Sequence, residues 1–390
     1  MSHPDKPTVL FVDDEEDLLA GLRQSLRKQR KVWNMEFACG AQAALDRLQQ
    51  GPVDVITTDM RMPGMNGAEL LERVSALHPA TIRFVLSGEA SQEQAIRAIP
   101  FTHQWMSKPC ERDVLITTIE RSLQLVSKLE TATVRQIVGR ASSVGSAPES
   151  YRRLLQAFQD PNVEMPQIAA WIEGDPALAG RVLQLTNSSF FGARREITNV
   201  REAVALLGLR LLSELVLVSG AFSAWTESGG AIQAEATRVA AHSRDVAEAA
   251  RIIAGDAGID SDSAIAASLL HDIGYLVLLE AAPKDLGATE NQSLREAVEL
   301  ELGCTHELIG GAVLQNWGLP LATVEAVTHH HQPRPAANGV VDAAGVVHLA
   351  NALVTNEQPD SAYLDSVGGQ SRWDLWSAMV GEDHPGDRAA

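Results

Sequence analysis

Short apolar runs alternate with amphipathic stretches through the first 125 residues. Residues 8–12 (TVLFV) form an unbroken apolar run that stops at the acidic stretch 13–17 (DDEED). A run without polar alternation suits a strand covered on both faces. Leu18, Leu19, Leu22 and Leu26 then recur at helical spacing. The same alternation returns twice, with residues 53–58 running into Asp59 and residues 82–86 running into Ser87. Strands alternating with helices predict βα units around a parallel sheet. In such sheets the chemistry gathers at the carboxyl ends of the strands, where Asp13, Asp14, Asp59 and Ser87 all fall.

The period then changes. A long helix is predicted over roughly residues 111–138, with Ile116, Ile119, Leu123 and Val126 at three-four-three spacing. Glu130 and Thr133 take the next two slots, so the stripe has two readings. It is the inner face of the last helix on its own sheet, or a seam that pairs two copies of the chain as a homodimer. Residues 139–150 are rich in Gly, Ser and Ala and read as a linker. The rest of the chain reads as helical. The expected division is an α/β unit over 1–127, a helical connector over 128–150, an all-helical unit over 151–377 and a disordered tail over 378–390.

With 390 residues, 45% hydrophobic and 21% charged, the chain has the composition of a soluble globular protein of two to three units. Its formal net charge of −18, mostly acquired beyond residue 130, argues against a non-specific nucleic-acid or anionic-membrane binder. Cys39, Cys110 and Cys304 share no CxxC spacing, so neither a disulfide framework nor a thiolate metal site is implied. The N-terminus lacks a signal-peptide layout, and the apolar stretch 203–222 is interrupted by Arg210 and Glu214. The cytoplasm is the expected compartment.

Carboxylates and a lysine drawn from separate segments are what a Mg²⁺-assisted phosphoryl acceptor needs. Asp13 and Asp14 supply hard oxygen ligands for Mg²⁺. Asp59 is placed to be both nucleophile and ligand. Lys108 offers a point charge to a phosphate oxygen and Ser87 a hydrogen bond. These residues lie in the motifs LFVDDEEDLL, TTDMRMPGMNG, VLSGEA and WMSKP, and over residues 7–127 the sequence resembles the receiver domain of two-component response regulators. The resemblance implies a flavodoxin-like (βα)5 fold and phosphorylation of Asp59 by a histidine kinase. It also implies a Mg²⁺ site completed by the backbone carbonyl of Arg61, with Ser87, Trp105 and Lys108 as the switch residues. Trp105 stands where the family usually has Tyr or Phe.

The acidic half carries eight of the eleven histidines. His271-Asp272 follows an apolar helical run, and burying such a pair is costly without a metal or partner. His329 and His330 close another helix. Imidazole and carboxylate groups projecting from several helices into a bundle build metal sites, and suit Fe, Mn, Zn or Ni. Residues 140–335 resemble an HDOD module, in the stretches IAAWIEGDPALAGRVLQLTNSSFFGARREITNVREAVALLGLRLL and GAVLQNWGLP. The related HD phosphohydrolase superfamily places His242, His271, Asp272, His306, His329 and His330 as metal ligands, with Asn351 where an Asp is expected. In that pattern Asp272 would bridge two metals. The chain departs from the HD-GYP cyclic-dinucleotide phosphodiesterases at Tyr275, where they carry lysine, and at QPRPAANGV, where they carry Gly-Tyr-Pro. The resemblances together imply a response regulator with an HDOD output. That output either binds a protein or nucleotide partner or is a metal-dependent phosphohydrolase of a nucleotide or cyclic dinucleotide. No DNA-binding motif is apparent, and neither DNA nor a membrane is expected as a partner.

Overall fold

The computed structural model describes residues 6–88, 92–129, 131–141, 153–154, 156–158, 163–188, 195–218, 230–259, 261–281, 293–336 and 339–383. Residues 142–150 of the expected linker, most of the NSSFFG stretch and the last residues of the tail lie outside them.

The amino-terminal half is a parallel sheet in the order β2-β1-β3-β4-β5. Its strands are β1 (Thr8–Asp13), β2 (Asn34–Cys39), β3 (Val55–Thr58), β4 (Ile82–Ser87) and β5 (Gln104–Ser107). Pleating sends alternate residues of β1 to opposite faces. Val9 and Phe11 enter one core with Phe84 and Ile119, while Leu10 and Val12 enter the other with Ile56 and Val85. The two strands without an unbroken apolar run, β2 and β5, are the two edges. The register aligns Val12 with Thr58 and Thr58 with Val85, which brings the ends of β1, β3 and β4 to one level.

The helices of this half are α1 (Glu16–Ser25), α2 (Ala41–Leu48), α3 (Gly67–Leu77), α4 (Gln92–Ala98) and α5 (Arg112–Ser127). Asn66 caps α3 by accepting from the Glu69 amide at 3.0 Å. Gly67 is required at the start of α3, because a Cβ there would lie 2.2 Å from the carbonyl oxygen of Asp59.

The expected helix over 111–138 is broken. α5 stops at Ser127, and α6 (Ala132–Arg140) starts afresh under Thr131, whose hydroxyl accepts from the Val134 amide at 3.1 Å. The apolar stripe is consumed within the chain: Ile119 is fully buried in the sheet core, and Ile116, Leu123 and Val126 pack against it.

The second half is helical throughout its described residues. Its helices are α7 (Met165–Glu173), α8 (Pro176–Asn187), α9 (Val200–Val218), α10 (Gly230–Ala257), α11 (Ser261–Leu270) and α12 (Ile273–Ala281). They continue with α13 (Leu294–Leu302), α14 (His306–Asn316), α15 (Leu321–His329), α16 (Ala343–Thr355), α17 (Ser361–Ser366) and α18 (Gly369–Asp383). The stretch Ser261–Ala281 is long and apolar enough to cross a membrane, but most of it is buried inside the fold. The unit runs past the expected boundary at 377, since α18 continues to Asp383 and buries Trp376, whose indole donates to Asp256 at 2.9 Å.

The two halves share a core. Ile99, at the foot of the sheet, lies in the same apolar cluster as Leu129, Val134 and Ile137 of the connector and Leu178 and Val182 of α8. Polar contacts cross the same seam. Arg181 donates to the Ile99 carbonyl at 2.9 Å, Gln184 to the His103 carbonyl at 2.9 Å, and Arg83 to the Gly139 carbonyl at 2.7 Å. A side chain at Gly139 would meet the Pro79 carbonyl oxygen at 1.9 Å.

Candidate functional site: two charged centres, one in each half

The first centre lies where β1, β3 and β5 end. Lys108 directly follows β5 and precedes Pro109 through a cis bond, and its ammonium bridges Asp13 at 2.6 Å and Asp59 at 2.8 Å. Partial burial of the lysine lowers its pKa, but the hydrogen bonds and charges of the two carboxylates outweigh this and raise it. Lys108 therefore holds its charge at neutral pH. The other oxygen of Asp59 accepts from the Arg61 amide at 2.6 Å. Asp14 is half-exposed beside Asp13. The Ser87 hydroxyl is buried and has no hydrogen-bond partner among the described residues. A polar atom left so at the rim of paired carboxylates suits an incoming ligand with oxygens of its own. Trp105 is turned inward, 7% exposed, in the core beside Val85. Asp13, Asp59, Ser87 and Lys108 thus come together as the sequence pattern expects, and a divalent cation fits the paired acids.

The second centre sits inside the helical half. His242 comes from the middle of α10, His271 and Asp272 from the break between α11 and α12, His306 from the first turn of α14, and His330 and His331 from the end of α15. Among the described residues three groups are close enough for one ion each: Glu299, His306 and Glu307 at the outside, and two groups about Asp272, namely His242, His271 and Asp272, and His306, His330 and His331. Asp272, wholly buried, faces both. Its Oδ2 lies 3.5 Å from His271 and 3.8 Å from His242, and its Oδ1 lies 3.2 Å from His306.

Hydrogen bonds to the far side of each ring fix the tautomers. His271 Nδ1 meets the Ser268 carbonyl at 2.7 Å, His330 Nδ1 the Val327 carbonyl at 2.8 Å, and His306 Nδ1 the Glu299 carboxylate. For His271 and His330, whose pKa burial lowers, Nδ1 carries the one proton, which leaves a bare lone pair on each Nε2. Yet His306 Nε2 and His330 Nε2 stand 3.4 Å apart, and His306 Nε2 and Asp272 Oδ1 3.2 Å apart. These atoms face the same space, and Asp272 Oδ1 has no hydrogen-bond partner among the described residues. Converging lone pairs of this kind fit a metal cation. Outer partners such as Glu299 are what orient ligating imidazoles.

Burial lowers the pKa of His271 to about 4, helped by His242 and Arg295 and opposed by Asp272. Burial likewise holds His330 well below its ordinary value. Both rings are neutral at physiological pH, the form that binds metal. Burial alone would raise the Asp272 pKa, but His271, Arg295 and His306 around it hold it well below the ordinary carboxylate range.

One expected ligand falls elsewhere. His329 points away from this centre into a groove of about 430 Å³ between α5 and α15, with Arg121, Lys128 and Arg334. Along a helix end, one residue turns the side chain by about 100°, and the pair that converges is His330 and His331. Asn351, on α16, is buried with an unpartnered amide oxygen, one turn beyond His348, which bonds to the His330 carbonyl at 2.8 Å. Glu299, His331 and Arg295 are absent from the sequence expectation. The run of three histidines was the available signal for His331, whereas nothing local marks Glu299 or Arg295.

Comparison with known proteins agrees with this division. The response regulator receiver domain matches residues 9–120, and the HDOD domain matches residues 144–333. A protein of Treponema pallidum (strain Nichols), named only as uncharacterized, is 26% identical over 255 residues, covering 63% of this chain and 48% of its own length. The hydrogenase transcriptional regulatory protein HoxA of Cupriavidus necator is 30% identical over 177 residues, covering 42% of this chain and 36% of its own. The chain thus spans about half or less of these curated relatives. Among solved structures, the signal receiver domain of an HD domain-containing protein from Pseudomonas fluorescens Pf-5 is 29% identical, covering 30% of this chain and 95% of that one at a TM-score of 0.29. The MmoQ response regulator from Methylococcus capsulatus is 22% identical, covering 60% of this chain and 98% of that one at a TM-score of 0.45. Neither family match is a DNA-binding domain. The chain is a response regulator in which a receiver domain over residues 9–120 is joined to an HDOD domain over residues 144–333.

Proposed function

We propose that a histidine kinase phosphorylates Asp59 and that the receiver then controls an HDOD domain that holds a metal centre and signals by binding a protein or nucleotide partner. Asp13, Asp14, Asp59 and the Arg61 carbonyl would hold Mg²⁺, with Lys108 and Ser87 meeting the phosphoryl oxygens. The shared core around Ile99 and α6 gives a change in the receiver a short path to the output. Trp105 acts as the switch aromatic. Homodimerisation through α5 is not needed for this path.

The observation that carries the metal assignment is the convergence of imidazoles on one buried carboxylate: His306 lies 3.2 Å, His271 3.5 Å and His242 3.8 Å from Asp272, with His330 Nε2 3.4 Å from His306 Nε2. An imidazole-rich set suits Fe, Mn, Zn or Ni rather than Mg²⁺. The test is metal content by mass spectrometry on anaerobically purified protein, beside a His271→Ala/Asp272→Ala control. One to two transition metals per chain, absent from the control, are expected. A wild type still empty after exposure to Fe, Mn and Zn would end the assignment.

A second reading is favoured by one feature, the two oxygens of Asp272 turned towards two ligand groups. A metal pair bound there would lend Lewis acidity to a phosphoester, making the domain a phosphohydrolase of a nucleotide or cyclic dinucleotide. Turnover of such substrates by the metal-loaded chain, lost in the same double variant, would separate this reading from partner binding.

A further inference from the structure

One charged group at the helical centre belongs to neither ligand set. Arg295 reaches in from α13, and its guanidinium is held from two directions. It donates to Asp272 Oδ2 at 2.8 Å, and its central carbon stands 5.1 Å from the ring centroid of Tyr275. Tyr275 is itself anchored, its hydroxyl donating to Glu235 at 2.9 Å. A guanidinium has five N–H donors in a fixed plane, and Asp272 is its hydrogen-bonding partner among the described residues. The side chain is 31% exposed, so the remaining donors lie at the rim rather than in the core.

Charge balance gives this arrangement a direction. Without a metal, Asp272 and Arg295 are an ion pair at 2.8 Å. With a cation between the imidazoles, Asp272 would be shared with it, and the arginine, with Glu299 the other carboxylate acting on it, would be only partly compensated. A guanidinium fixed next to a cation site, with donors that no described residue takes up, suits an anion with several oxygens.

We propose that Arg295 is the anion-recognising residue of this centre, and that it takes the oxyanion of a phosphate ester. The inference rests on the metal reading above. It also changes the meaning of Tyr275, which stands where a lysine would have supplied charge. The ring that replaces the lysine is the seat on which the next helix delivers an arginine. A planar fork also fixes the orientation of a phosphate, which a lysine does not.

The test is calorimetric titration of Mn²⁺-loaded full-length chain with inorganic phosphate, with metal content measured on the same samples. Arg295→Ala should keep its metal and bind phosphate about 10- to 100-fold more weakly, as expected for loss of charge-assisted hydrogen bonds. Arg295→Lys should fall between the two. Metal-loaded wild type that ignores phosphate, or Arg295→Ala that binds it as tightly as wild type, overturns the assignment. Loss of metal in Arg295→Ala, with no separate effect on phosphate in Arg295→Lys, would make the arginine a counter-ion of Asp272 and overturn it too. A wild type that takes up no metal fails at the first step and removes the metal reading along with this one.

Discussion

The receiver centre and the helical centre are both clusters of ionisable groups, but they are assembled by different geometry. In the receiver, parallel strands in fixed register deliver their last residues to one edge, so Asp13 and Asp59 meet because β1 and β3 end at the same level. In the helical half, ligands come from the middle of α10, a helix break, a first turn and a last turn. There a single residue decides whether a side chain faces the cluster or the opposite groove.

The comparison can be broken at either centre. The largest effect is expected in the receiver, where Asp59→Asn should abolish labelling by acetyl phosphate with Mg²⁺, as read by intact-protein mass. Stoichiometric labelling of that variant would place the acceptor elsewhere. At the helical centre, His330→Ala should lose metal while His329→Ala keeps the wild-type amount, by metal analysis of the two proteins in parallel. Equal loss in both would mean that the helix end is turned differently.

Smaller effects are expected at the seam between the halves. Gly139→Ala forces a Cβ against the Pro79 carbonyl and should cost about 1–3 kcal/mol in denaturant unfolding. Gly21→Ala, in the open surface of α1, should instead be neutral or stabilising by up to about 1 kcal/mol. An effect of similar size concerns pH. Burial, with Arg83 and Arg181 nearby, holds His103 well below its ordinary 6.5, although the Gly139 carbonyl opposes this. The unfolded chain then binds the proton more readily than the folded one. His103 stability is complete above about pH 6.5 and is lost below it, at roughly 1.4 kcal/mol per pH unit. Unfolding midpoints should fall from pH 7.5 to 5.5, and fall less in His103→Asn. An identical pH slope in the variant would show that the ring is not held neutral.

Much of this was legible in the sequence, for physical reasons that differ by region. Central strands are buried on both faces, so residues 8–12 and 82–86 stand out as unbroken apolar runs. The edge strands β2 and β5 carry polar, partly exposed residues among their apolar ones, so NMEFAC and QWMS do not. The broken connector was hidden because Thr131 reads equally well as a helix interior or as a cap. Its apolar stripe was visible, but no spacing says whether a stripe faces a second chain or the chain's own core. The histidine set could be named, yet Glu299 and Arg295 could not. Their roles depend on which helix packs beside which, and that contact leaves no local pattern.

Ile99 of the receiver and Leu129, Val134 and Ile137 of the connector are buried in the apolar cluster of the output half. Neither half therefore owns a complete interior. Heating should reveal one calorimetric transition rather than two, because opening the seam strips apolar cover from both sides at once. A fragment cut at residue 144, where the HDOD match begins, would leave behind the connector that plugs its floor. The thermodynamic unit of this protein is larger than either of its recognisable domains.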